Sequence, residues 1–266
     1  QRLFKESVTA QAMSKSRTKS EPQMGYTTVI PAGTISRPSM HTDNPFAVEE
    51  ITPPFNDEWV AKRRVADAIK QLTGVLVTSS PSVEKMHAIA EQLEITAAEF
   101  RKSPRIFGRS DWAQSGKHGS FGQVSHELNP MAGWSNPIAP PVNSWIEGDL
   151  ALATCQCGWA YEGPPGSVHG GIVAAIFDQF LGMAQMIGGQ PGMTGYLHVN
   201  YHQRTPLNTE LKLQGALVKI EGRKTIMRGE MYAQGVMTAS AEGLFVQPRG
   251  GMHAVQTLAA ARQHQK

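Results

Sequence analysis

Between Glu162 and Arg204 the chain holds one residue from the Asp, Glu, Lys and Arg set, and that residue is Asp178. It sits inside Ile172-Val173-Ala174-Ala175-Ile176-Phe177-Asp178-Gln179-Phe180-Leu181, a helix-length run that is apolar almost all round. A helix of that character has to be buried, so the rest of the chain must supply a cover for it. Two strand-like runs precede it, at about 138–146 and 150–157, joined by Glu147-Gly148-Asp149. After the turn at 188–192, four runs near 194–203, 209–220, 224–233 and 236–247 alternate apolar and polar residues. Two strands, a helix and a four-strand meander predict an α+β fold, one antiparallel sheet wrapped around one helix.

That reading covers 138–248 and leaves three other regions. Residues 1–55 have few large apolar side chains and no periodicity, and are expected to form an extended arm. The first twenty residues, rich in Ser, Lys and Arg, vaguely resemble an organelle transit peptide. A neighbouring subunit or a partner protein is the expected support of the arm. Residues 56–137 divide into a helical hairpin and a connecting loop. Asn56 is a candidate N-cap, and Val65, Ile69, Leu72 and Leu76 recur at spacings of four and three. Ser80-Pro81 restarts a helix with Val83, Met86, Ala90 and Leu93 on one face. Thr96 and Glu99 have capping-box spacing for a short further helix ending near Pro104. The hairpin 57–102 is expected to pack on the main domain, 103–137 to be loop, and the tail 249–266 to end in a short helix.

Composition narrows the function classes. The formal charge of +3 is too small to argue for nucleic acid, and no run approaches the ~18 uninterrupted apolar residues of a membrane span. The only two cysteines, Cys155 and Cys157, are two apart on one strand face, where a disulfide would be strained. Small side chains in a reducing compartment are the expectation, cytoplasmic or in an organelle matrix.

Asp178 on a buried helix pays a desolvation penalty, which raises a carboxyl pKa and is how many catalytic acids and bases are tuned. A core Asp satisfied by backbone groups or a distant basic residue is the competing reading. The approach to the helix shifts the balance. Gly163-Pro164-Pro165-Gly166-Ser167-Val168-His169-Gly170-Gly171 is a side-chain-poor turn into a helix start. Unpaired backbone N–H groups gather there, and glycine lets a carbonyl oxygen approach them. Gly171 and Asp178 lie roughly 10.5 Å apart along the helix at ~1.5 Å per residue. One carbonyl carbon cannot be reached by both. If both act on one substrate, they come from two protomers with antiparallel helices across a two-fold axis.

His169-Gly170-Gly171 with Ile176-Phe177-Asp178 and Gly182 resembles the hotdog-fold thioesterases of the PaaI and thioesterase-superfamily branches. The resemblance extends through Gly163-Pro164-Pro165-Gly166, Met193-Thr194, Asn200-Tyr201 and Glu221-Gly222-Arg223-Lys224, covering 138–248. It implies acyl-CoA hydrolysis without cofactor or metal, and the shared site expected from the helix spacing calls for a homodimer or dimer of dimers. It further implies Asp178 as nucleophile or general base, the N–H after His169 as carbonyl donor (Gly170, with Gly171 beside it), and Thr194 as orienting group. Asn200 and the Gly222-Arg223-Lys224 loop would hold the CoA moiety, Arg and Lys being charge-assisted donors to phosphate. Some members carry Asn or Gln six residues before the His, where this chain has Gly163. Acyl selectivity would depend on how Phe177, Phe180, Met183 and Met186 pack.

Other candidates are weaker. His198 and His202 on a strand, and His118 and His126 in loop sequence, lack partners at metal spacing. No G-x-S-x-G elbow occurs. A hotdog dehydratase would want a His near the acid. A non-catalytic hotdog subunit that binds acyl-CoA or a partner protein is the contrasting class, kept open by the long N-terminal region.

Overall fold

The structure is a computed structural model, and it describes residues 54–251. The arm over 1–53 and the tail over 252–266, with the helix expected there, lie outside the described residues.

Six strands form one antiparallel sheet: β1 (Val142–Glu147), β2 (Leu150–Cys155), β3 (Met193–Tyr201), β4 (Leu211–Glu221), β5 (Lys224–Ala233) and β6 (Val236–Val246). The order across the sheet is β1-β2-β4-β5-β6-β3. The expected four-strand meander is therefore wrong in one respect. Only β4, β5 and β6 form a meander, while β3 crosses to the far edge and pairs antiparallel with β6. The helical crossover between β2 and β3 makes that possible, because a connection that leaves the sheet plane can return to either edge.

The central helix is α5 (Gly170–Ala184), continued by a 3-10 turn at Gln185–Gly188. Val173, Ile176, Phe177, Phe180, Leu181, Met183 and Ala184 bury one face of it against the sheet. The sheet makes room with glycine. Gly215 and Gly229 are direct cross-strand partners on β4 and β5. A Cβ on Gly215 would stand 2.9 Å from Phe180 Cε1, and one on Gly229 2.9 Å from Leu181 Cδ2. Side chains there would push the helix off the sheet. The segment Gly170–Gly188 is long and apolar enough to cross a bilayer; packing in the concavity of a sheet accounts for that character. A sheet wrapped around a central helix is the hotdog arrangement.

The N-terminal region differs from its expected form. In α1 (Asp57–Leu76) the Asn56 side chain caps the first turn by accepting from the Trp59 N–H. Trp59 is fully buried, donates its indole N–H to His118 O at 3.0 Å, and stacks near Trp112 and His118. Arg63 makes a two-pronged ion pair with Glu127, which also accepts from the Ser135 hydroxyl. In α2 (Val83–Arg101), by contrast, no residue is buried. The hairpin expected to pack on the main domain is thus half docked: α1 is anchored by its N-terminal half, and α2 is not. Nor is there a further helix at Thr96, whose hydroxyl donates to Gln92 O inside an unbroken α2.

The expected loop 103–137 contains two helices, α3 (Arg109–Gln114) and α4 (Phe121–Leu128). Ser120 and Gln123 form a full capping box at the start of α4. Both helices are shorter than the window needed to show a period, so glycine-rich flanks hid them. Cys155 and Cys157 are buried free thiols with sulfurs 3.7 Å apart.

Candidate active site

The N-terminus of α5 is assembled by three short-range contacts. His169 is the N-cap residue, and its Nδ1 accepts the Gly171 N–H at 3.0 Å. An accepting Nδ1 puts the proton of the neutral ring on Nε2. The His169 carbonyl accepts from Ile172 and Val173 at 2.9 and 3.1 Å. Of the four orphan donors of the helix start, Gly171 and Ile172 are thereby satisfied and His169 N–H is met by Tyr161 O, the Val173 bond being the first regular one of the helix; among the described residues Gly170 N–H has no hydrogen-bond partner. Sequence alone treated the two glycines as a pair; the structure separates them. Gly171 serves the cap, and Gly170 keeps the open donor at the positive end of the helix dipole.

The preceding turn is held just as closely. His169 N–H donates to Tyr161 O, Val168 N–H to Thr205 O, and Gly163 N–H to Ser167 O. A Cβ on Gly163 would lie 2.6 Å from His169 Cα. The turn therefore packs its backbone directly on the cap residue, and an Asn or Gln at this position has no space.

Asp178 lies two turns along α5, and here an expectation fails. It is exposed, as is Gly171. The apolar composition of α5 suggested burial all round, but the sheet covers only one face. The other face, through Gly171 and Asp178, is open in the single chain. Thr194 Oγ1 donates to Asp178 Oδ1 at 2.9 Å, so two of the expected residues do meet. Among the described residues no basic side chain pairs with Asp178.

Strand β3 touches the helix at both of its chemical points. Thr194 at its start reaches Asp178, and Tyr201 at its end donates its hydroxyl to Gly170 O at 2.8 Å. The Tyr201 contact was not foreseen, since 31 residues separate the partners and no spacing rule connects them. Among the described residues no strand pairs with the other side of β3.

The remaining candidates divide between the two ends of the sheet. Asn200 is exposed on β3 next to Tyr201, at the Gly170 end. Gly222 and Arg223 make the two-residue turn between β4 and β5, with Gly222 at φ 57° as a turn of the II′ kind requires. Lys224 pairs with Val246, and the next residue, Thr225, pairs with Phe245, itself the partner of Thr194. The register therefore sets this turn at the Asp178 end, roughly two strand spacings (~10 Å) from Thr194. Arg223 donates to Gln247 O at 2.7 Å. Within one chain, Asn200 and the Gly222-Arg223-Lys224 turn do not come together.

Phe177, Phe180 and Met183 are buried on the sheet side of α5, and Met186 is half-buried in the 3-10 turn. His198 stacks on Tyr196 with ring centroids 4.5 Å apart. His118 joins Glu58 and Ser115 through its two ring nitrogens.

No protein-family model matches the chain. Acyl-coenzyme A thioesterase THEM4 of Rattus norvegicus is 41% identical over 69 residues, 26% of this chain and 30% of that protein. Acyl-coenzyme A thioesterase THEM5 of Homo sapiens is 30% identical over 94 residues, 35% of this chain and 38% of that protein. The chain thus matches about a third of the length of these curated relatives. A crystal structure of a thioesterase superfamily protein is similar at a TM-score of 0.61 with 31% identity, covering 73% of this chain and 97% of that one. A likeness that takes in nearly the whole of that relative, and more of this chain than the sheet and its helix, makes the chain a member of the thioesterase superfamily.

Proposed function

We propose that the chain hydrolyses acyl-CoA thioesters to the free acid and CoA. The observation that carries this reading is the Thr194–Asp178 hydrogen bond on the open face of α5, two turns from the unpartnered Gly170 N–H. The names of the curated relatives supply the thioester class.

Thr194 holds Oδ1 of Asp178 and leaves Oδ2 to take a proton from water. The water oxygen then bonds to the thioester carbonyl carbon. The carbonyl electrons move onto oxygen, where Gly170 N–H receives the developing charge. Collapse breaks the C–S bond, and the departing thiolate takes up a proton. An attack by Asp178 itself is the variant of this step that the same geometry serves.

The two groups lie roughly 12 Å apart along one helix, so the working site is shared. Two copies meet along the free edges of β3 with antiparallel helices, and Gly170 of one faces Asp178 of the other. The exposure of Asp178 and Gly171 in a single chain supports this arrangement. Shared sites also explain how Asn200 of one copy and Arg223-Lys224 of the other could grip a single CoA.

Thiol release from a panel of acyl-CoAs, acetyl to palmitoyl plus phenylacetyl, tests the proposal on wild type and Asp178→Asn. Turnover that drops by about a hundredfold or more is the expected result for losing a catalytic base. Retained acyl-CoA binding with no release by the wild type would instead favour a non-catalytic binding subunit.

A further inference from the structure

More than half of the exposed large apolar side chains among the described residues fall between residues 60 and 100, on α1, α2 and the connection between them. Their spacing is regular. On α1, Val65, Ile69, Leu72 and Leu76 follow one another at four, three and four. On α2, Val83, Met86, Ala90, Leu93, Ala97 and Phe100 follow at three, four, three, four and three. That is the narrow seam of paired helices, two positions in seven, not the wide stripe that faces a globular core.

Among the described residues neither seam is used. Val65, Ile69, Leu72, Leu76, Leu93 and Phe100 are all exposed. The short connection over 77–82 does not fold α2 back along α1, and the two helices make no extended contact with each other. The helices match in length, 20 and 19 residues, or about 30 Å each at ~1.5 Å per residue. Ala90 and Ala97 leave small gaps in the α2 seam where larger knobs such as Ile69 and Leu72 can seat.

Charge selects the pairing. Helix α1 carries four basic residues, Lys62, Arg63, Arg64 and Lys70, against three acidic ones, net +1. Helix α2 carries four acidic residues, Glu84, Glu91, Glu94 and Glu99, against two basic ones, net −2. Pairing α2 with a second α2 sets like charge on like, whereas α1 with α2 is complementary. An anionic lipid surface is disfavoured by the same acidic excess.

We infer that the α1–α2 arm is an assembly element whose occupant is a second copy of this chain: α2 of each copy lies along the outward seam of α1 of the other. The exchange is reciprocal, so it closes on itself as a two-fold contact. It is independent of the chemistry proposed for α5, and it joins each copy to one other than its β3 neighbour.

The test uses the full chain. Leu72→Cys in one tagged copy and Leu93→Cys in a differently tagged copy are co-expressed and mildly oxidised, the native thiols being buried. A disulfide joining the two tags is expected. A second measurement is mass by sedimentation for an Ile69→Glu, Leu93→Glu double variant, both sites being exposed and so tolerant of the change. Its mass should be half that of the wild type, with far-UV dichroism reporting an intact fold. The inference is overturned by an unchanged mass. It is equally overturned if the two tags are not joined while a Leu72→Cys, Leu93→Cys chain cross-links within itself, which would mean a closed hairpin, or by sedimentation of the wild type with anionic vesicles through this arm.

Discussion

His169 Nδ1 accepts the N–H of Gly171 at 3.0 Å, so the cap residue of α5 uses its own imidazole to consume one of the two glycine donors beside it. That contact decides which N–H remains open. It also separates the two roles of His169, stability and site geometry, by substitution. His169→Ala removes the cap and should cost about 1 kcal/mol of stability, together with a loss of thiol release. His169→Asn can still accept from the helix N–H, and should keep the thermal midpoint within a degree or two of wild type. If both variants lose stability equally, the capping role is wrong.

The edge strand supplies the second prediction. Thr194→Val keeps the shape but deletes the donor to Asp178 Oδ1, and Tyr201→Phe deletes the donor to Gly170 O. Each should lower kcat by about tenfold to a hundredfold, the rate equivalent of one hydrogen bond to a charged or charge-developing group. Both sites are exposed, so urea midpoints should stay near wild type. A change confined to a higher KM, with kcat unchanged, would contradict an orienting role.

Gly163 is a steric prediction. Its added Cβ would meet His169 Cα at 2.6 Å, a backbone contact that cannot swing away. Gly163→Ala should destabilise by about 1–3 kcal/mol and reduce activity through displacement of the cap. Gly170→Ala is the control, because its Cβ would stand 3.5 Å from the Tyr201 ring, an ordinary contact.

Glu127 anchors the N-terminal region. It is buried, paired with Arg63 and hydrogen-bonded by Ser135. Glu127→Ala leaves Arg63 without its partner in a half-buried place, and should cost about 3 kcal/mol in urea unfolding. A cost under about 0.5 kcal/mol would mean the pair behaves like a surface ion pair.

Tyr161 lies under the turn that leads to His169, and burial, with the nearby Cys157 and Cys155 thiols, pushes its phenol from 10.0 up to about 12. Tyr232 is also pushed up to about 12, by burial and by its hydrogen bond to Glu230. A raised folded value means the neutral phenol is favoured by folding. The corresponding stability is complete below pH 10 and is lost as pH rises through about 12. Tyr196 is raised as well, by its hydrogen bond to Glu242; absorbance titration should show Tyr161 and Tyr232 among the late tyrosines, and Tyr161→Phe should remove one of them.

Much of the fold was legible because it is written in short-range pattern. Period-two runs marked the last four strands, the apolar run marked α5, and Asn56 marked the start of α1. What escaped was decided by distance. Helices α3 and α4 are too short to show a period, although Ser120-Phe121-Gly122-Gln123 carried a cap signal that was there to be found. The place of β3 at the sheet edge depends on where a crossover lands, which no local pattern encodes.

The candidate site divides in the same way. The sequence by itself determined that Asp178 stands alone on an apolar helix, that two glycines open that helix, and that their separation exceeds the reach of one carbonyl. These follow from residue type and helical rise. Tertiary structure alone decided that Asp178 is exposed, that Thr194 reaches it, that Gly171 is spent on His169, and that Tyr201 holds Gly170. Each of these depends on which face of α5 the sheet covers and which strand lies along the other, a choice made by packing across the whole domain and not by neighbours in the chain.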